Sequence, residues 1–208
     1  NIQDLISRGT ATILDLSGYT ETQGNWSIQG LVVGIVTRKL FTNRLIARKQ
    51  EEVKNIEQEG RLLLEEQNQE DPLLWLILDE AHQFLPKEGS TPATDALVQI
   101  LREGRQPGIS LVLATQQPGE IHKDVLTQTD IVISHRLTSK IDLEALNAMM
   151  QSYHYNNIQG FMNELPRTRG AALILDDNSE RIYPAQIKPK RSWHGGSSPF
   201  ALKIVKEL

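Results

Sequence analysis

The sequence contains no cysteine among its 208 residues. This absence excludes disulfide bonds, cysteine nucleophiles and zinc sites with cysteine ligands. No apolar run reaches the roughly 18 residues of a membrane helix, and no signal peptide opens the chain. We therefore expect a cytoplasmic protein without a membrane segment. The first residue is Asn1 rather than methionine, which favours a piece of a longer protein.

The composition is that of an ordinary soluble globular protein, with 39% hydrophobic and 23% charged residues. A net charge of −4 gives no sign of nucleic-acid binding, although a ring can carry a basic lining inside an acidic whole. The five histidines have no metal-ligand spacing. The length predicts one well-cored domain over residues 1–190, followed by a basic tail over residues 191–208 with a short amphipathic segment.

Two carboxylates follow the longest apolar run of the chain. Residues 73–78 are uninterrupted apolar residues, which predicts a strand buried on both faces of a parallel sheet. Asp79 and Glu80 stand where the run ends, and ligands bind at the carboxyl ends of strands in open α/β sheets. The pattern is typical of a Walker B motif, in which Asp79 holds Mg²⁺ directly or through water and Glu80 orients or deprotonates the attacking water of an ATPase. The alternative is a core strand that ends in a solvated acidic turn.

Strand patterns alternate with helix patterns along most of the chain. The predicted strands are residues 10–16, 73–78, 109–114 and 130–134, the predicted helical segments are residues 26–67, 93–106, 121–126 and 139–153, and a hairpin is predicted over residues 171–175 and 181–187. This alternation predicts an α/β fold with a mostly parallel, doubly wound sheet and helices on both faces. The hairpin adds antiparallel edge strands.

The long segment 26–67 has apolar residues at roughly helical spacing, which predicts a helix or helix pair. The predicted apolar stripe consists of Leu31, Ile35, Leu40, Leu45, Ile46, Val53 and Ile56. Basic residues occupy its middle, namely Arg38, Lys39, Arg44, Arg48 and Lys49. Such a charge pattern is typical of a solvated helix face, and contact with DNA phosphates is the alternative.

Polar residues follow each of the predicted buried strands. These residues are Asp15, Asp79, Glu80, Gln116, His135 and Arg136. Because the carboxyl ends of parallel strands lie along one edge, we expect them to converge on one site. Gln116 can donate and accept hydrogen bonds, so it can bridge the attacking water and the γ-phosphate. Arg102, Arg105 and Arg136 are candidates for the positive charge that phosphoryl transfer requires.

Each of these interpretations has a structural alternative. Arg105 can instead be a surface arginine at a helix C-terminus, where the helix dipole favours positive charge. Gln116 can instead cap a loop, and Arg136 can instead form a structural ion pair.

Three segments together resemble the ATPases of the HerA/FtsK superfamily, and most of all its HerA branch of DNA translocases. They read LLWLILDEAHQF at 73–84, ILREGRQPGISLVLATQQP at 100–118 and DIVISHRL at 130–137. The resemblance covers roughly residues 10–196 and implies a RecA-like P-loop NTPase sheet, here incomplete at its N-terminus. It implies that Arg105, eleven residues before Gln116, is an arginine finger that reaches a neighbouring subunit's nucleotide, and that Gln116 is the sensor. Gln117 replaces the arginine usual in the family, which puts a role at that position in doubt.

The letters DEAH at 79–82 also spell the DEAH box of another helicase superfamily. The further motifs of that superfamily are not visible in this sequence, so the match is read as a coincidence.

No phosphate loop of the form Gly-x-x-x-x-Gly-Lys-Ser/Thr occurs in the sequence. Residues 104–108 and Gly195-Gly196 lack both the lysine and the strand-loop-helix context of such a loop. This chain alone is therefore expected not to bind or hydrolyse ATP well. In HerA-like proteins the loop lies N-terminal to the segment seen here, so we expect the C-terminal half of the ATPase. The rival account is a partner that lacks its own loop and donates Arg105 in trans.

The resemblance implies a ring-forming enzyme, expected to be a hexamer, that uses ATP and Mg²⁺ and couples ATP hydrolysis to movement along DNA. Double-stranded DNA would be contacted through its phosphates, mostly independently of sequence, and a nuclease partner is implied by the family. A conjugative coupling ATPase of the same superfamily is one alternative. A non-catalytic assembly subunit without its own phosphate loop is the alternative from another class.

A sheet without its phosphate-loop strand and helix should expose apolar surface. We therefore predict that the chain self-associates or is poorly soluble.

Overall fold

The computed structural model describes residues 5–19, 22–23, 26–58, 72–149 and 158–192. Its helices and strands are, in chain order, β1 Thr22–Gln23, β2 Trp26–Ser27, α1 Ile28–Gln58, β3 Leu74–Leu78, α2 Thr94–Glu103, β4 Ile109–Leu113, α3 Lys123–Gln128, β5 Ile131–His135, α4 Lys140–Met149, α5 Ile158–Glu164, β6 Ala171–Asp176 and β7 Arg181–Gln186. The predicted continuation of the first helix beyond residue 58 and nearly all of the predicted tail lie outside the described residues.

The centre of the structure is the parallel pair of β3 and β4. Leu74 lies opposite Ile109, and Leu78 lies opposite Leu113. The connection between them contains α2, which packs Leu97 and Ile100 into the core. The core on this side of the pair consists of Leu78, Ala81, Phe84, Leu85, Ala93, Leu97, Ile121 and Val125. The expectation of a parallel α/β unit is confirmed here.

The opposite face of β3 is not covered by the described residues, so the prediction of a strand buried on both faces is wrong for them. Trp75 is 71% exposed and Ile77 is 69% exposed. Side chains alternate between the two faces of a strand, and the described helices pack on the face of Leu76 and Leu78. The apolar run of β3 therefore has one buried row of side chains and one exposed row.

A second, three-stranded sheet has the order β5-β6-β7 and is antiparallel throughout. Ile133 lies opposite Ile174, and Leu175 lies opposite Ile182. The sheet encloses a second core with α4 and α5, formed by Leu146, Ile158, Met162, Leu165, Ala171, Leu173 and Leu175. The predicted C-terminal hairpin is confirmed, and β5 joins that hairpin rather than the parallel pair.

The buried face of α1 differs from the predicted apolar stripe. Leu31, Ile35, Ile46 and Val53 of that stripe are exposed, whereas Gly34, Thr37, Phe41, Arg44 and Ala47 are buried. A Cβ atom at Gly34 would lie 2.5 Å from the Pro92 carbonyl oxygen. The helix thus packs with small residues against the chain just before α2, and this close approach decides which face is inside.

Residues 10–16 do not form the predicted strand. Their side chains are exposed apart from the partly buried Leu16, and Ile13 is 89% exposed. Among the described residues, no strand pairs with this segment. The β-rich segment therefore has no neighbouring strand there with which to form backbone hydrogen bonds.

Within the described part of the chain, no helix has both the length and the apolar character needed to cross a membrane.

Candidate functional site

The carboxyl ends of β3 and β4 meet at one point because the two strands are parallel and in register. The Ala114 N–H donates to the Leu78 carbonyl oxygen, and the Ala81 N–H donates to the Ala114 carbonyl oxygen, both at 2.9 Å. These bonds fix the first residues beyond each strand against one another. Asp79 and Glu80 therefore lie beside Thr115 and Gln116.

Glu80 sits where the chain reverses from β3 into a short 3₁₀ turn over Ala81–Gln83. Its backbone is left-handed, with φ 48° and ψ 47°, a conformation that non-glycine residues rarely adopt. The Gln83 N–H closes the turn by donating to the Glu80 carbonyl oxygen at 2.9 Å. The reversal leaves the Glu80 side chain beside the end of β4 instead of continuing along β3.

Gln116 donates a hydrogen bond from Nε2 to Glu80 Oε1 at 2.5 Å. The two residues are 36 positions apart in the chain and meet only across the strand ends. A hydrogen bond from an amide N–H to an ionised carboxylate is stronger than a hydrogen bond between two neutral groups. The amide oxygen of Gln116 is not used in this bond, so it can accept a hydrogen bond from a water molecule.

The second carboxylate oxygen of Glu80 has a different environment. Glu80 Oε2 is buried and has no hydrogen-bond donor among the described residues. His82 Nδ1 lies 3.5 Å from this oxygen, and the same nitrogen lies 3.0 Å from Thr115 Oγ1. Four polar side chains from the two strand ends thus form one connected cluster, which we name the strand-end cluster: Glu80, His82, Thr115 and Gln116.

Asp79 is exposed beside this cluster, and its Oδ1 accepts the Glu80 N–H at 3.0 Å. No group of three or more acidic, histidine or cysteine side chains suited to a metal occurs in the described residues. Magnesium is usually held by one or two carboxylates together with waters and substrate phosphates rather than by a protein cage. A single exposed carboxylate at a strand end fits that chemistry.

Arg105 lies in a tight turn at the opposite end of the parallel pair. Residues 104–108 connect the end of α2 to the start of β4, and the Gly108 carbonyl oxygen accepts the Leu74 N–H at 3.1 Å. The Arg105 side chain is exposed. Five strand residues at about 3.3 Å each place roughly 16 Å between this turn and the strand-end cluster. That separation exceeds the reach of one arginine side chain.

Buried groups hold this turn in place. Gly108 has φ 74°, a left-handed value that suits glycine, and a Cβ atom at Gly104 would lie 2.5 Å from the Ile100 carbonyl oxygen. The Arg44 side chain on α1 donates from Nε to the Pro107 carbonyl oxygen at 2.9 Å. Arg44 is only 3% exposed, so it does not belong to the solvated basic face predicted for this helix.

The other two arginines proposed as charge donors have structural contacts. Arg102 binds the buried Asp124 carboxylate, with Nη2 2.6 Å from Oδ2. Arg136 donates from Nη1 to the Leu165 carbonyl oxygen at 3.1 Å. Arg136 follows β5, which is paired with the hairpin rather than with β4. The expectation that every strand end lies on one sheet edge therefore holds for β3 and β4 but not for β5.

Asp15 lies in a turn rather than at a strand end. Its Oδ1 accepts the Ser17 N–H at 2.9 Å. Hydrogen bonding by the Ser17 side chain, and next by its backbone, holds the pKa of the Asp15 carboxyl below its ordinary value.

His82, Thr115 and Arg44 were not identified as site or positioning residues from the sequence. For Arg44 a signal was present, because its spacing of three and seven residues from Phe41 and Thr37 places it on their helix face. The contact between His82 and Thr115 depends on the reversal of the chain at Glu80, and no local sequence pattern predicts that reversal.

A family model described as helicase HerA-like C-terminal matches residues 61–177, which is more than half of the chain. A probable DNA double-strand break repair helicase HerA of Methanocaldococcus jannaschii is 31% identical over 144 residues, covering 64% of this chain and 27% of that protein. The DNA double-strand break repair helicase HerA of Pyrococcus furiosus is 29% identical over 163 residues, covering 74% of this chain and 27% of that protein. The matched part thus spans about a quarter of the length of these relatives.

Among solved structures, the genome packaging NTPase B204 of Sulfolobus turreted icosahedral virus 2 in complex with sulfate is 26% identical. It matches with a TM-score of 0.47, covering 60% of this chain and 56% of that one.

Proposed function

This chain belongs to the helicase HerA-like C-terminal family, and we propose that it supplies one side of the nucleotide site of an ATP-dependent DNA translocase or helicase. The observation that carries the proposal is the hydrogen bond between Gln116 and Glu80 at the ends of adjacent parallel strands. Core packing and assembly need no carboxylate and amide paired at such a position. Water activation next to a phosphate uses a base or a water-orienting residue, and this pair supplies both.

In this proposal Glu80 takes the proton of the attacking water. Its Oε1 is held by the Gln116 amide, which keeps the carboxylate at the strand end. The amide oxygen of Gln116 accepts a hydrogen bond from the second O–H of that water and so aligns the water for in-line attack. Asp79 would hold Mg²⁺, which when bound neutralises charge on the phosphates. The phosphate loop is not among these 208 residues, so it must come from another part of the polypeptide or from another chain.

Arg105 is proposed to act on a neighbouring subunit's nucleotide. Its side chain is exposed on a rigid turn, roughly 16 Å of strand away from Glu80 of its own chain. An arginine placed this way can stabilise transition-state charge only across a subunit interface, which requires a ring with head-to-tail contacts.

We propose a homo-oligomeric ring, with six subunits as the expected number, that moves double-stranded DNA through phosphate contacts. A nuclease partner is part of the proposal because the resemblance to HerA proteins implies one.

The test is DNA-stimulated ATP hydrolysis by the full-length polypeptide that carries this sequence. Glu80→Gln keeps the shape and the hydrogen bond to Gln116 but removes the base, so we expect kcat to fall by at least about a hundredfold. Glu144→Gln is the matched control, because Glu144 is an exposed glutamate on α4 paired with Lys140. It should hydrolyse ATP at the wild-type rate.

Hydrolysis by the Glu80→Gln variant at the wild-type rate would overturn the proposal. In that case Glu80 would not be the base, whereas a wild-type polypeptide that hydrolysed no ATP would favour a non-catalytic assembly subunit.

A further inference from the structure

The unpaired oxygen of Glu80 points to an additional residue in the site. Glu80 Oε2 is buried without a hydrogen-bond donor in the described part of the chain. A buried carboxylate oxygen without a donor is unfavourable, since it has lost its hydration and gained nothing in return. The group that faces it is His82 Nδ1, at 3.5 Å.

The neighbours of His82 Nδ1 decide which of its ring nitrogens carries the proton. Thr115 Oγ1 lies 3.0 Å from Nδ1 and also accepts the Gln117 N–H at 3.0 Å. If Nδ1 were bare, its lone pair would face the Glu80 carboxylate. If Nδ1 carries hydrogen, it donates to Thr115 and presents positive charge density to Oε2 at the same time. The second tautomer is therefore favoured.

We propose that His82 is a positioning residue whose Nδ1–H, shared between Thr115 Oγ1 and Glu80 Oε2, fixes the orientation of the Glu80 carboxylate. Gln116 holds one carboxylate oxygen and His82 faces the other, so rotation of the carboxylate is restricted from both sides. The separation of 3.5 Å is longer than a hydrogen bond, and a shift of about half an ångström makes it one. Catalytic hydrogen bonds commonly tighten in this way when substrate binds.

The elements on either side keep these groups in place. Ala81, which precedes His82, is fully buried, and its N–H is bound to the Ala114 carbonyl oxygen. Thr115 follows Ala114 directly, so His82 and Thr115 are carried by two chain segments that are hydrogen-bonded to each other. The catalytic consequence of the bridge rests on the proposed function, whereas the bridge itself can be measured separately.

The kinetic experiment compares His82→Ala with His82→Asn in the full-length polypeptide. The asparagine amide nitrogen occupies nearly the position of Nδ1, so His82→Asn keeps the donor and loses the ring. We expect His82→Ala to lower kcat for ATP hydrolysis about tenfold to a hundredfold, as misplacement of a catalytic group does. The KM for ATP should stay within about twofold, and His82→Asn should recover most of the rate.

Thr115→Val tests the other end of the bridge. It removes the hydroxyl with little change in shape, so it should lower kcat as His82→Ala does. The double variant should be no slower than the slower single variant, because both remove one shared contact. Additive losses would overturn the bridge, and so would equal losses in His82→Ala and His82→Asn. A fall in thermal stability with unchanged kcat would assign His82 a structural role only.

The ring proton can be located without any enzymatic activity. In wild-type protein labelled with ¹⁵N-histidine, the His82 signal, assigned by its loss in His82→Asn, should show hydrogen on Nδ1. Hydrogen on Nε2 alone would overturn the bridge. If the wild-type protein hydrolysed no ATP while His82 carried the Nδ1 proton, the proposed function would fail and the structural bridge would stand.

Discussion

Backbone strain at single residues coincides with the proposed site. Among the described residues, only Glu80 and Glu180 combine a positive φ with a side chain. Glu180 closes the hairpin between β6 and β7, where a left-handed residue is common in tight turns. Glu80 has no hairpin to close, and its conformation serves to bring the carboxylate to the end of β4. A residue stays in such a strained conformation only where surrounding contacts hold it there, and residues held in this way are frequent at active sites.

The hairpin turn gives a prediction of pH dependence. The Ser179 hydroxyl donates to Asp176 Oδ2 at 2.8 Å, and this bond, more than the N–H groups of Ser179 and Asn178, holds the pKa of the Asp176 carboxyl below its ordinary value. A lowered pKa in the folded state means that the carboxylate contributes stability above the ordinary aspartate pKa. That contribution is lost as the pH falls through the lowered value.

Asp176→Asn should therefore be less stable than wild type at neutral pH, and the two should converge as the pH falls through the aspartate range. Chemical unfolding at a series of pH values measures this difference. Asp177→Asn, which makes the same change one position later and leaves the bond between Ser179 and Asp176 in place, should lie closer to wild type in stability at neutral pH. A gap between Asp176→Asn and wild type that widens toward low pH would contradict the assignment.

The main acidic and amide residues of the site could be predicted from the sequence because each lies within two residues of the end of an apolar run. Asp79, Glu80 and Gln116 are found in this way, and parallel pairing brings them together. Arg136 follows an apolar run as well, but its strand pairs with the hairpin. The apolar pattern of β5 does not say which partner it has, because the run IVI suits both a parallel and an antiparallel neighbour.

At the scale of elements, α1 shows why counting apolar residues can select the wrong helix face. Gly34 and Ala47 are buried because their small size allows close approach, whereas the larger Ile35 and Ile46 beside them are exposed. The periodicity predicts helix over residues 26–67, and Ile28–Gln58 of that segment forms α1. Its inner face was not, because that depends on the position of Pro92, which is distant in the sequence.

The open face of β3 predicts self-association of the 208-residue chain. Trp75 and Ile77 form an exposed apolar row on this strand, and strand surfaces of this kind mark sites of association. The double variant Trp75→Thr/Ile77→Thr keeps β-propensity and should lower the proportion of oligomers and aggregates in sedimentation velocity.

Ile13→Thr is the matched control, since Ile13 is even more exposed but lies outside any sheet. It should leave the distribution of species unchanged. A wild-type chain that sediments as a single monomer would contradict the prediction.

At the scale of the whole molecule, the parallel pair separates two halves of one proposed reaction centre. Glu80 and Gln116 lie at the carboxyl ends of the strands, and Arg105 lies in the turn before β4. In the proposed mechanism one chain would therefore contribute to two nucleotide sites, one at each end of the parallel pair. The contact proposed is heterologous: one end of a subunit would complement the other end of the next, and repetition closes a ring where the rotation between subunits allows it.

Mixed rings test this arrangement directly. Glu80→Gln and Arg105→Ala should each be inactive alone, with Arg105→Ala slower than wild type by about a thousandfold or more, as expected for an arginine finger. In a random equal mixture, an interface is complete when an Arg105→Ala subunit supplies Glu80 and a Glu80→Gln subunit supplies Arg105. With one interface per subunit in a head-to-tail ring, about a quarter of the interfaces meet that condition.

The mixture should therefore recover up to about a quarter of the wild-type rate of DNA-stimulated ATP hydrolysis if each interface acts independently. Subunit exchange is verified by tagging one variant and recovering the other with it. A ring of double variants mixed with nothing else remains inactive and sets the baseline. If Arg105 served the nucleotide of its own chain, every subunit in the mixture would carry one defect and no rate would return. Only an interface built from two chains can convert two inactive proteins into an active one.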